Sequence, residues 1–406
     1  MSHYKSYPVY KNSGVEWIGR VPEHWETLRI KRAAALRNER RNDLPNGWTY
    51  VGLEDVESES GRYAPTKGES RLSDDSMVGV FRAGDVLYGK LRPYLRKAIV
   101  TERDGVCSTE FLVLIAGRAV ATWLHCWLLT PDVTQQIEAG CDGAKMPRAD
   151  WEHVGSIPMP LPPPAEQSAI AAALDRETIR IDALIAKKTR FIELLKEKIV
   201  ALASQPADSP NLKWVRLSHV CEVISRPVLQ KAGSSYTKLG LFNRGRGIFK
   251  RDETDTEDMG DSEFFWVQPG DLVISGQFAW EGAVALANEN HAGCVVSHRF
   301  PVIRGRKNGV LTEYLLAYFW TIHGDFVLND CSRGSAGRNR PLNMNLLLGW
   351  KIPVPSMQIQ REVARLVQLE RQIGERVNKS IALLRERRST FITAAVTGQI
   401  DLRDEA

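Results

Sequence analysis

Two stretches of this chain place their apolar residues at steps of three, four and seven, with a single step of six at Val367–Ile373. In residues 165–204 these are Ile170, Leu174, Ile181, Leu184, Phe191, Leu195, Ile199 and Leu202. In residues 357–397 they are Val363, Val367, Ile373, Val377, Ile381, Leu384, Phe391 and Ala395. Charges fill the other positions, so each stretch predicts a long helix with one narrow apolar stripe. A stripe so narrow on a helix so long seeks another helix. The pattern therefore predicts an antiparallel coiled coil whose core holds Leu174, Ile181, Leu184, Phe191 and Leu195 against Val367, Ile373, Val377, Ile381 and Leu384. Each helix follows a proline-punctuated exit from an apolar strand, IPMPLPPP at 157–164 and IPVPSM at 352–357. Each closes on a similar phrase, IELLKEK and IALLRER.

The stretches before the helices also correspond. FRAGDVLYGKLRPYLRKAIV (81–100) aligns with VQPGDLVISGQFAWEGAVAL (267–286): a Gly-Asp turn, an apolar strand, then a loop of aromatic and polar residues. DGVCSTEFLVLIAG aligns with AGCVVSHRFPVIRG, and two helical patterns follow, ATWLHCWLLTPDVTQQI and LTEYLLAYFWTIHGDFV. A repeat this long is a duplicated domain-plus-helix unit rather than a solenoid. The expected divisions are a first head at 1–160, a helix at 161–205, a second head at 211–355 and a helix at 356–400. SQPADSP, with two prolines, is the predicted hinge between the units. The fold class is α+β: two mixed heads and two long helices with internal pseudo-twofold symmetry.

Composition narrows this only slightly. The 406 residues are 43% hydrophobic and 25% charged, ordinary for a globular chain, and the net charge of +5 permits a nucleic-acid partner without requiring one. The opening MSHYKSYPVYKNSG has no signal-peptide core, so a cytoplasmic location is expected. FLVLIAGRAVATWLHCWLL is interrupted by Gly117, Arg118 and His125 and reads as a strand then a helix, so no membrane partner is expected. The six cysteines form no C-x-x-C pair and lie at no zinc-ligand spacing with histidine, which favours structural thiols.

The candidate contact surfaces are basic loops at equivalent places in both copies. GKLRPYLRK supplies Lys90, Arg92, Tyr94, Arg96 and Lys97, and a second loop supplies Lys145 and Arg148. In the other copy, NRGRGIFKR supplies Arg244, Arg246, Lys250 and Arg251, SGQFAW supplies Gln277 and Trp280, and RGSAGRNR supplies Arg333, Arg338, Asn339 and Arg340. Arginine and lysine neutralise phosphate, arginine can fork onto guanine, and asparagine or glutamine can read adenine. Taken singly, a Gly/Arg loop is an ordinary solvated turn; recurrence in both copies is what suggests a bipartite reader of DNA. There is no phosphate-binding G-x-x-x-x-G-K-[ST] loop, no Asp/Asn-Pro-Pro-aromatic motif of amino-methylating enzymes, and no nucleophile elbow. No catalytic residue and no metal site is read from the chain.

At YKNSGVEWIGRVPEHWETLRIK, GDVLYGKLRP, DGVCSTEF, GAKMPRADW, IPMPLPPPAEQSAIAAALD, LLKEK and TAAVTGQIDL, the chain resembles the specificity subunit of Type I restriction–modification enzymes. The second copy departs from the family pattern, carrying QIQREVA where a Glu-Gln pair is usual. The resemblance implies two target recognition domains, each reading half of a split site in double-stranded DNA. It implies helices that set the spacer and dock two methyltransferase (modification) subunits, joined in the full complex by restriction/translocase subunits of a bacterial or archaeal cell. S-adenosylmethionine, ATP and Mg are expected on those partners, with no cofactor on this chain. A protein-binding scaffold and a self-sufficient DNA-modifying enzyme remain as alternatives.

Overall fold

The computed structural model describes residues 4–65, 77–141, 143, 146–204, 212–260, 262–307, 309–334 and 340–403. Lys145, Arg338, Asn339 and most of the SQPADSP hinge lie outside them. The chain forms two compact units, Met1–Ala186 with Ser380–Ala406, and Lys187–Lys379. The two long helices run Pro164–Ser204 and Met357–Val396, and each is shared between the units.

In the first unit, strand Phe111–Ala116 lies between Ala34–Leu36 and Val86–Gly89, with Ala98–Val100 at the edge, all antiparallel. The turn that launches Val86–Gly89 is built by Gly84, at φ +88°, and Asp85. The buried Asp85 carboxylate accepts the Arg82 amide at 2.8 Å and forks with Arg37 at 2.7 and 3.1 Å. A second sheet orders Arg40–Arg41, Val78–Phe81, Gly105–Cys107 and Thr49–Val51, the last pair parallel. Helix Ala121–Leu128 then buries Trp123, Leu124, Trp127 and Leu128 against the first sheet.

The second unit repeats this plan. Strand Val302–Gly305 lies between Cys221–Val223 and Leu272–Ile274, with Val284–Leu286 at the edge. Asp271, fully buried, takes the role of Asp85: it accepts the Gln268 amide at 2.7 Å and pairs with Arg226 and Arg304. Three strands of the second sheet also recur, Ser235–Leu241 running parallel and Phe264–Trp266 antiparallel to Val295–Ser297. The fourth strand differs: Ile248–Asp255 joins Ser235–Leu241, whereas in the first unit the added strand lies at the opposite edge.

The start of each long helix is fixed by one glutamine. Gln167 Oε1 accepts the Val120 amide at 2.7 Å while its Nε2 donates to Pro162 O at 2.8 Å. Gln360 does the same with Leu311 and Pro355, at 2.9 and 3.0 Å. The residue before each glutamine explains the departing QIQREVA. Glu166 receives Tyr7 Oη at 2.8 Å, Trp25 Nε1 at 3.0 Å and His24 Nε2 at 2.7 Å. Ile359 instead packs on the apolar core of its own unit.

Within the first unit, Ile170, Ala173 and Leu174 share a core with Phe391, Ile392, Ala395 and Val396. Within the second, Ile199 and Ala203 share one with Val363 and Val367. The start of one helix thus meets the end of the other in each unit, which is antiparallel pairing. Two expected core positions are corrected: Leu184 is 42% and Phe191 50% exposed. The inner row of the first helix is Leu174, Ile181, Ile185, Ile192, Leu195, Ile199 and Leu202, each buried or half-buried. From Ile181, steps through 184 and 191 are as regular as steps through 185 and 192, because two adjacent rows of this helix are apolar. Packing selects the isoleucine row. Val367 is buried, while Ile373, Val377, Ile381 and Leu384 are half-buried.

Candidate nucleic-acid interface

The Lys90–Lys97 segment folds around Pro93, which opens the 3-10 turn Pro93–Leu95. Arg92 and Arg96 flank that turn in left-handed backbone, at φ 53° and 48°. Such a conformation is costly for any residue with a Cβ, and a residue before proline is normally extended. The loop is held by Arg92 N donating to Pro147 O and by Ala149 N donating to Lys90 O, both at 2.9 Å. Arg148 is thereby brought beside it. Among the described residues, only Glu59, Arg92, Arg96 and Arg244 combine a Cβ with positive φ. Three of these four are candidate contact arginines, as expected where backbone strain marks function.

The side chains of this loop divide by what they already hold. Arg96 pairs with Glu59 at 2.7 Å, Lys97 Nζ donates to Leu53 O at 2.7 Å, and Arg148 pairs with Glu110 at 2.8 Å. Arg92 and Tyr94 project outward and are exposed, and Lys90 is half-buried. Their side chains have no hydrogen bond or ion pair among the described residues. Arg92, Tyr94 and Lys90 are therefore the groups best placed to meet a polyanion.

In the second unit the NRGRG and QFAWEG segments come together, Arg244 N donating to Glu281 O and Gly245 N to Gly282 O, both at 2.8 Å. Asn243 Nδ2 also contacts the Glu281 carboxylate. Arg340 lies 5.0 Å over the Trp280 ring and donates to Ser332 O at 3.0 Å, so it is a brace. Arg246 lies over Phe242, and Arg333 pairs with Asp330 at 2.6 Å. Arg244 and Gln277 are exposed, and their side chains have no hydrogen bond or ion pair among the described residues. Beside Gln277 a cavity of about 330 Å³ is lined by Lys238, Arg251, Phe278 and Arg299. The sequence reading missed Phe278 and Arg299; the second follows His298 in a turn with no Gly/Arg signature. No group of histidine, cysteine, aspartate and glutamate that could hold a metal occurs among the described residues. No described helix is long and apolar enough to cross a membrane.

Fold and site define a class: a protein of two related heads, each joined to paired long helices, each carrying strained basic loops. Such a protein is similar to the specificity subunits of Type I restriction–modification systems. The chain is 25% identical over 179 residues to the Type I restriction enzyme EcoDI specificity subunit of Escherichia coli, a match spanning 42% of this chain and 39% of that relative. It shares its fold with a chain solved in work on complex assembly and conformational transition of the type I R-M system, at TM-score 0.58 and 21% identity, covering 93% and 98% of the two chains. The HsdS subunit from Thermoanaerobacter tengcongensis also matches, at TM-score 0.42 and 21% identity over 94% and 98%. No protein-family model matches the chain.

Proposed function

We propose that this chain is the DNA-specificity subunit of a Type I restriction–modification complex. Each head reads one half of a split site in double-stranded DNA. The long helices set the unread spacer and dock two methyltransferase subunits. The observation that carries this reading is recurrence: the same head-and-helix unit occurs twice. Each head also displays an exposed arginine in left-handed backbone, at a different place in each, Arg92 after Val86–Gly89 and Arg244 after Ser235–Leu241. A helix of 41 residues spans about 60 Å, well over the roughly 34–36 Å of one duplex turn, so a split site fits the scale of the protein.

Chemistry is assigned to the partners. S-adenosylmethionine belongs on the methyltransferase subunits, which take an adenine out of the stack before modifying it. ATP and Mg²⁺ belong on restriction/translocase subunits. The present chain contributes choice of sequence and assembly. Mapping N6-methyladenine in cells that express the chain with its methyltransferase partner tests this. One two-part motif with a fixed spacer is the expected result; methylation without such a motif would overturn the reading.

A further inference from the structure

The first unit contains a clamp between its long-helix segments and its candidate reading loop. Arg388, on the second long helix, has a side chain only 12% exposed. Its guanidinium donates to Glu59 O at 3.1 Å and Ser60 O at 2.7 Å, and pairs with Asp182 of the first long helix at 3.5 Å. One planar cation thus ties two helices to one loop. The loop continues the connection: Glu59 N donates to Leu95 O at 3.1 Å, and the Glu59 carboxylate pairs with Arg96 at 2.7 Å. Leu95 and Arg96 belong to the turn that presents Arg92 and Tyr94.

Backbone conformation agrees with this path. Glu59, Arg92 and Arg96, three of the four left-handed non-glycine residues among the described residues, lie along it. Gly61 is at φ +67°, where a Cβ would meet the His125 ring at 2.5 Å, so the loop can close on the head only with glycine there. A cavity of about 520 Å³ beside the clamp is lined by Glu57, Glu59, Arg96, Asp182, Arg385 and Arg388 among others. Gln360 of the second long helix corresponds to Gln167 of the first, and by that offset the equivalent of Arg388 is Leu195. Leu195 packs on the apolar core of its unit and offers no such fork.

We propose that Arg388 is a positioning residue for specificity: it fixes the Pro93–Leu95 turn on the long-helix segments and so sets where the first head meets its half-site. This rests on the specificity reading above. The assembled complex is assayed on a plasmid library in which the half-sites are separated by every spacer around the natural one. Arg388→Ala is expected to lower the preference for the natural spacer about tenfold. It should relax base choice in one half-site and leave the other unchanged. Arg388→Lys, which keeps charge but not the fork, should recover only part of the preference. Glu59→Gln leaves the backbone contacts and removes the charge facing Arg96, so it should shift both readouts the same way even if Arg388→Ala fails to fold. Unchanged spacer preference in the variants that assemble, or equal relaxation of both half-sites, would overturn the proposal. An unsubstituted complex that selects no split site would instead sink the specificity reading, and the clamp with it.

Discussion

Among the described residues Arg92, at the head of its turn, has no side-chain partner, whereas Arg148 beside it is paired with Glu110. Arg92→Ala is therefore expected to weaken DNA binding by the assembled complex by about 1–3 kcal/mol while assembly persists. Arg148→Ala should cost less, and fluorescence anisotropy with a labelled duplex separates the two. The sequence displayed all these basic residues equally; which were already engaged depended on Glu59, Leu53 and Glu110, each far away in sequence from its partner. His125 offers a test of another kind. Burial pushes it down to about 4 from the ordinary 6.5, while its Nε2–H donates to Ala98 O at 3.0 Å. Between those values the unfolded chain binds a proton that the folded unit refuses. The contribution of this histidine is whole above pH 6.5 and fades as pH falls to about 4, by up to roughly 3 kcal/mol. Urea midpoints across that range should decline in the parent chain and less steeply in His125→Gln.

The long helices were the most legible elements, because a stripe sustained over ten turns outweighs any local ambiguity. Their inner row was less so. Ile181 is buried and Phe191 half exposed. Ile181→Ala should thus cost about 2–4 kcal/mol, and Phe191→Ala within about 1 kcal/mol, as read from chemical denaturation. The head strands were legible where a Gly-Asp turn punctuates them, at Gly84–Asp85 and Gly270–Asp271. The fourth strand of each second sheet was not: Arg40–Arg41 pairs with Val78–Phe81, distant in sequence, whereas Ile248–Asp255 forms a hairpin with the adjacent Ser235–Leu241, so the two copies do not compare there. If the helices act as a ruler, adding seven residues to each preserves the inner row and lengthens it by about 10 Å. That corresponds to roughly three base pairs at about 3.4 Å each. Methylation mapped in such a variant should show a longer spacer; an unmoved spacer would refute the ruler.

For the molecule as a whole, duplication was readable because two copies in one chain supply their own comparison. Gln167 and Gln360 show this, since both make the same contacts where only one follows a glutamate. What the comparison could not reveal was how the ends of the sequence are used. Gly398, at φ +72°, packs so closely on Pro22 that a Cβ would meet its ring at 2.3 Å. Asp401 N donates to Lys5 O at 2.8 Å, and Ile400 and Leu402 are buried with Val21 and Trp25. The second unit is one unbroken stretch of chain, but the first needs residues from both sides of it. On the ribosome, the first head must therefore wait, with an apolar surface uncovered, until the second has been synthesised and the second long helix arrives. Chaperone demand and proteolytic vulnerability during translation should accordingly fall on the part of the protein that is made first.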